Sequence, residues 1–255
     1  MIPTPIRQVL STIQKHQVQA LLMGGQACVL YGAAQFSKDI DFLILADESN
    51  FEGLHRALQE LQARRIAVPR FSPDVLMRGH AVHFRCAAPG AEGLRVDVMT
   101  NLRDLPEFEI LWQRRTTLDC GGDGQFHLLS IPDLVNAKKT QREKDWPVIE
   151  ALVESHYSAL QSEPNPERLA FWFQESRTQE RLIELCNRFA NEVAGFCEKR
   201  PLLALAKSGD LSALRVELDV EKRREQEKDR LYWEPLKREM EEFRRAERTA
   251  PQENS

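Results

Sequence analysis

A short apolar run, Ala20–Met23, stops abruptly at two adjacent glycines, Gly24 and Gly25, and a helix-like stretch over residues 26–31 follows at once. Few backbones accept that order. It demands a strand, a tight turn that side chains would obstruct, and a helix in immediate succession. Residues 39–45 (DIDFLIL) are rich in β-branched and aromatic side chains and read as a second buried strand. Two more strands are expected over residues 80–87 and 94–99, joined by the APGAEG spacer, whose proline and glycines suit a hairpin loop.

Helices are predicted between these strands. Ile6, Val9, Leu10 and Ile13 recur at helical spacing behind Pro5, and Leu54, Ala57, Leu58 and Leu61 do the same. Residues 104–114 are expected to be helical, and Thr116–Asp119 with residues 125–129 should form a small hairpin around GGDG. Pro132 marks a helix start, and DLVNAKKTQREKDWPVIEALV reads as two helices in close succession. The alternation predicts an α+β (mixed α/β) fold, a mixed sheet flanked by helices, over residues 1–160. The SEPNPER segment, around Pro164 and Pro166, is the expected linker to a helical region over residues 161–255. That region ends in a charged helix over residues 217–248, with a thin apolar stripe of Tyr232, Leu236, Met240 and Phe243 interrupted by Pro235. A solvated helix with opposite-charge pairs, docking by its stripe, is the favoured reading over a partner-binding helix.

A net charge of -4 excludes a globally basic nucleic-acid binder, although it allows a local basic patch. The five cysteines, Cys28, Cys86, Cys120, Cys186 and Cys197, lack framework or CxxC spacing and read as reduced thiols. The opening MIPTPIRQVLSTIQKH has no signal-peptide pattern, and no stretch is long enough to span a bilayer, so a cytoplasmic protein with no membrane association is expected.

The chemistry concentrates in MGGQACVLYGAAQFSKDIDFLI. Two glycines after a strand let the backbone approach a ligand, and the following helix start suits phosphate groups. Asp39 and Asp41 lie two apart on a strand, so both carboxylates leave the same face. Held together, two like charges are costly unless a cation neutralises them, and oxygen-only ligands suit Mg²⁺, or Mn²⁺, shared with substrate phosphates. Asp97, in LRVDVM, is a lone carboxylate in an apolar strand. If that strand lies beside Asp39-Ile40-Asp41, three carboxylates converge on one metal centre.

Gly24-Gly25, thirteen intervening residues, then Asp39-Ile40-Asp41-Phe42 resembles the signature of the polymerase-β-like nucleotidyltransferases. The local form YGAAQFSKDID is similar to the branch that contains AbiEii-like toxins and related bacterial proteins. LVNAKKTQREKDWPVI, with Lys138, Lys139, Arg142, Lys144 and Asp145, is similar to a basic helical element that follows the catalytic half there. The resemblance covers residues 21–152. It implies that Gly24, Gly25, Ser37 and Lys138 contact nucleotide, and that Asp39, Asp41 and Asp97 are catalytic and hold the metal. Gln35 stands where the family often has arginine, removing a cation near the phosphates, and Ser37 stands where it often has threonine, keeping the hydroxyl.

His80, His83 and Cys86 have zinc-like spacing, but in a strand the two histidines point to opposite faces and no fourth ligand is evident. If the hairpin pairs them with Arg95 and Asp97, His83 or Arg85 reaches the acidic site to contact acceptor or phosphate; the alternative reading of the same pairing is a cross-strand contact with charged neighbours. On a continuous helix Lys138 and Arg142 would share a face at i,i+4. Trp112, Trp146, Trp172 and Trp233 read as packing residues rather than base-stacking platforms.

The expected function is metal-dependent transfer of a nucleoside monophosphate from a nucleoside triphosphate to an acceptor hydroxyl on tRNA or protein. The resemblance further implies the toxin of a toxin–antitoxin or phage-defence system, with an antitoxin protein as partner. The alternatives are an antibiotic-modifying nucleotidyltransferase and a non-catalytic module that binds nucleotide or a partner.

Overall fold

The structure is a computed structural model, and it describes residues 3–121 and 124–249. Seven strands form one mixed sheet: β1 (Ala20–Met23), β2 (Asp39–Ile44), β3 (Arg64–Arg65), β4 (Val82–Arg85), β5 (Arg95–Met99), β6 (Thr116–Asp119) and β7 (Gln125–Leu128). Their spatial order is β3-β4-β5-β2-β1-β7-β6. The sheet is therefore mixed and the fold α/β, as the alternation of patterns predicts. β1 runs antiparallel to β2, β2 parallel to β5, and β4 antiparallel to β5, so β2 and β5 start at the same sheet end where β1 stops.

Helices flank the sheet. α1 (Thr4–Lys15) buries Ile6, Val9, Leu10 and Ile13, as their spacing predicts. It packs against α3 (Glu48–Glu60), which is capped by the Asp47 carboxylate accepting the Asn50 amide at 2.7 Å. α2 (Gly24–Leu30) begins at the glycines themselves and lies against β2. α4 (Pro73–Met77) precedes β4. The predicted helix over residues 104–114 exists only as α5 (Phe108–Gln113). Pro106 and the left-handed conformation of Asp104 (φ 58) keep its first half out of the helix. The hairpin β6–β7 forms as expected, with Gly122 and Asp123 of its GGDG turn outside the described residues.

α6 (Ile131–Lys138) starts with Pro132 in its first turn and is capped by Ser130. It ends at Lys138. A short 3-10 turn, Glu143–Asp145, leads into α7 (Trp146–Leu160), so the two successive helices are present but Lys138 and Arg142 share no helical face. Residues 161–165 make a turn between α7 and α8 (Pro166–Glu175), whose start is capped by Asn165. α9 (Gln179–Arg188), α10 (Ala194–Cys197) and α11 (Leu202–Ser208) follow, and the buried cluster runs without a break from Ile6 to Leu214.

The last element, α12 (Leu211–Thr249), is 39 residues long and carries Pro235. At 1.5 Å per residue such a helix extends about 58 Å. It returns over the N-terminal half. Asp229, 4% exposed, accepts the Gln141 backbone amide at 3.0 Å and the Trp233 indole N–H at 3.1 Å. Further on, Glu239 pairs with buried His80 at 2.8 Å, and the Phe243 ring meets His80 and Arg78. The predicted stripe thus docks within the chain through Tyr232, Leu236 and Phe243. Pairs such as Asp219 with Arg223 and Glu234 with Arg238 line its exposed side. No helix among the described residues is long and apolar enough to cross a membrane.

Candidate active site

The register of the central strands places the acidic residues. Asp41 on β2 is the direct neighbour of Asp97 on β5, and Asp39 the neighbour of Arg95. Paired residues in adjacent strands point to the same face, so Asp39, Asp41 and Asp97 share one side of the sheet, while buried Ile40 and Phe42 point to the other. The row continues across two more strands: Met23 pairs with Asp41, and His83 with Asp97.

The glycines are explained by what lies above them. Gly24 has φ +65, and a Cβ there would meet Asp41 Oδ2 at 1.9 Å. A Cβ on Gly25 would meet Ser37 Oγ at 2.5 Å. Ser37 in turn donates to the Asp39 carbonyl at 3.0 Å, which fixes its hydroxyl over the turn. The α2 helix is held in place at its other end, where the Tyr31 hydroxyl donates to the Leu129 carbonyl at 2.7 Å.

Electrostatics separate the carboxylates. Burial, then the Asp97 charge, pushes the Asp41 carboxyl up to about 6, against the pull of Lys138 and the Gly25 amide. Burial alone would raise Asp97 as well. Hydrogen bonds from His83 and Arg95 outweigh that effect and hold it below its ordinary value. Arg95 donates through Nε and Nη2 to the two Asp97 oxygens at 2.7 and 2.8 Å, and His83 Nδ1 lies 2.9 Å from Oδ1. Of the two hairpin residues His83 and Arg85, His83 therefore reaches the site. Arg85 does not: it is exposed and bonds the Gly93 carbonyl.

Lys138 is buried and ion-paired with Asp145 at 3.4 Å, and its charge is felt by both Asp41 and Cys28. Asp145 also accepts the Thr140 hydroxyl at 2.6 Å and Arg142 Nε at 2.7 Å. The basic run therefore folds into a knot around Asp145 rather than a helical face, with Lys138 directed inwards.

A divalent cation suits part of this arrangement. Asp39 and Asp41 project together, no positive side chain among the described residues is bonded to either, and the raised Asp41 carboxyl marks a charge that a counter-ion would stabilise. Asp97 differs from the expected third ligand because both its oxygens are engaged by Arg95 and His83. Among the described residues, no three His, Cys, Asp or Glu side chains stand together so as to hold a metal ion. Sequence reasoning passed over Arg95 as the partner of Asp97. Its two-residue spacing on the same strand was the available signal. Compared with known families the chain matches no family model, and no curated protein matches it.

Proposed function

We propose that this protein is a divalent-cation-dependent nucleotidyltransferase of the polymerase-β-like kind that its glycine and aspartate signature resembles. One observation carries the reading: Asp41 and Asp97 are neighbours in register on one sheet face, with the Gly24-Gly25 turn pressed against Asp41. In the reaction, the oxygen of an acceptor hydroxyl forms a bond to the α-phosphorus of a nucleoside triphosphate. The bond from that phosphorus to the β-phosphate bridge breaks, pyrophosphate leaves, and the hydroxyl proton is released. Mg²⁺ or Mn²⁺ held by Asp39 and Asp41 would neutralise phosphate charge and polarise the reacting phosphoryl group.

The chain's own groups have definable roles in this scheme. The side-chain-free surface of Gly24 and Gly25 admits the phosphates, and the Ser37 hydroxyl beside Gly25 is available to them. Lys138 supplies positive charge at the site. Asp97, kept anionic by Arg95 and His83, accepts a hydrogen bond from the acceptor hydroxyl and orients it. By resemblance, the acceptor is tRNA or a protein and the biological role that of a toxin countered by an antitoxin.

A second reading draws on Arg95. Its forked contact with Asp97 neutralises one of the three carboxylates, which favours a non-catalytic module that binds nucleotide. Labelled nucleoside triphosphates incubated with the protein, Mg²⁺ and total tRNA or lysate separate the two. Label transfer that disappears in Asp39→Ala and Asp41→Ala supports the enzyme. Nucleotide binding without transfer to any acceptor supports the module. Growth arrest on expression of the wild type, absent for Asp41→Ala, tests the toxin role.

A further inference from the structure

A second charged site lies away from the aspartates, where α12 crosses α8 and the end of α6. It is a cavity of about 330 Å³. Its inner wall is a chain of ion pairs. Glu175 is shared by Lys139 at 2.7 Å and Arg177 at 3.1 Å, while Glu221 is shared by Arg177 and Arg200, each at 2.7 Å. Three cations thus surround two carboxylates. Arg200 is 5% exposed, and the Arg177 side chain 9%. The Nε of Arg177 is buried without a hydrogen-bond partner among the described residues.

The outer wall adds to the excess. Lys228 is balanced by Glu225, but the Lys199 and Arg224 side chains, also lining the cavity, form no ion pair or side-chain hydrogen bond among the described residues. Lys199 and Arg224 are exposed, so where solvent reaches the cavity its six lining cations outnumber its three carboxylates and the potential there favours an anion. The ion-pair chain that fastens α12 is complete without Lys199 and Arg224. Arginine forks match phosphate oxygens bidentately, and several cations around one cavity suit a multiply charged group rather than a single carboxylate.

We propose that this cavity binds a polyphosphate group through Arg177 within and Lys199 and Arg224 at the rim. The site is distinct from the aspartate site and independent of whether Asp41 is catalytic. Lys138 and Lys139 stand between the two, the first paired with Asp145 and the second with Glu175.

The test is calorimetric titration of the full chain with inorganic tripolyphosphate at low ionic strength in EDTA, which removes cation-dependent binding at the aspartates. Wild type and Asp41→Asn should bind alike, and Lys199→Ala/Arg224→Ala at least about tenfold more weakly. Because neither rim residue has an ion-pair or side-chain hydrogen-bond partner among the described residues, the double variant should melt with the wild type. Failure of the wild type to bind, equal affinity in the double variant, or loss of binding in Asp41→Asn overturns the site. Competition by ATP alone would identify a free nucleotide as the source of the phosphates. Competition by a short single-stranded RNA as well would identify a nucleic-acid strand.

Discussion

Gly24 and Asp41 form one steric unit: a Cβ on the first would overlap Oδ2 of the second at 1.9 Å. The glycine also sits at φ +65, where any other residue is strained. Gly24→Ala therefore forces Asp41 aside and loads the turn, at a cost of about 1–3 kcal/mol. Thermal unfolding should register that loss, and the proposed nucleotidyl transfer should disappear with it. Gly25→Ala meets the Ser37 hydroxyl at 2.5 Å and the Ser37 Cβ at 3.1 Å, so a Gly25→Ala/Ser37→Ala double variant, which removes the closer contact, should recover part of the stability lost in Gly25→Ala. Such recovery is not expected when Ser37→Ala is combined with Gly24→Ala.

The pH dependence of the two paired aspartates runs in opposite senses. Asp41, pushed up by burial to about 6 from 3.8, binds its proton more tightly in the folded protein. Its stabilising contribution is present at acid pH, below 3.8, and lost as pH rises through about 6. Asp97, held down by His83 and Arg95 despite burial, contributes above its unfolded pKa and loses that contribution as pH falls through its folded one. Asp41→Asn removes the first dependence alone. The variant should melt above the wild type at about pH 8, and the difference should vanish near pH 4. Mg²⁺ should raise the wild-type melting temperature at the higher pH and leave the variant unmoved. Coincident melting curves across this range would rule out a charged, strained Asp41.

Arg95 occupies the position of a counter-ion for Asp97, and its own guanidinium is held further into its charged form by that carboxylate first, then by the charges of Asp39 and Asp41. Removing it should leave three carboxylates on one face, with His83 beside Asp97 and the more distant charge of Lys138 to balance them. Arg95→Gln is therefore expected to bind Mn²⁺ more tightly than the wild type without nucleotide, as read by electron paramagnetic resonance. Unchanged affinity would mean that Asp97 cannot turn towards Asp41, and would restrict any cation to Asp39 and Asp41.

Much of this arrangement is legible in local sequence, and the remainder fails for identifiable reasons. The glycine turn, the two central strands and the shared face of Asp39 and Asp41 follow from period-two geometry and steric demand, both local properties. That Asp97 pairs with Asp41 is a matter of register, which the apolar strand around it suggests but does not determine. The capture of Asp97 by Arg95 and His83 depends on side-chain competition that spacing does not decide. Helical periodicity extends across Lys138 to Arg142, yet the chain breaks there because Asp145 gathers Lys138, Thr140 and Arg142 around itself, while Asp229 of α12 bonds the Gln141 amide. That last contact spans 88 residues, beyond any local pattern.

The helical region offers an independent acid-sensitive group. The Trp172 indole donates to His156 Nδ1 at 2.9 Å, and burial, reinforced by the Arg168 charge, lowers the His156 pKa to about 4 from 6.5. The folded protein therefore keeps this imidazole neutral at pH values where the unfolded chain protonates it. Its contribution is complete above 6.5 and lost as pH falls towards about 4. Protonation would also turn the acceptor nitrogen into a donor facing another donor. His156→Gln keeps an acceptor without the titration. Relative to the wild type, it should lose less stability between about pH 7 and pH 4.5 and show a smaller change in tryptophan emission over that range. Equal acid sensitivity of the two proteins would show that the Trp172–His156 bond does not govern the acid response of this region.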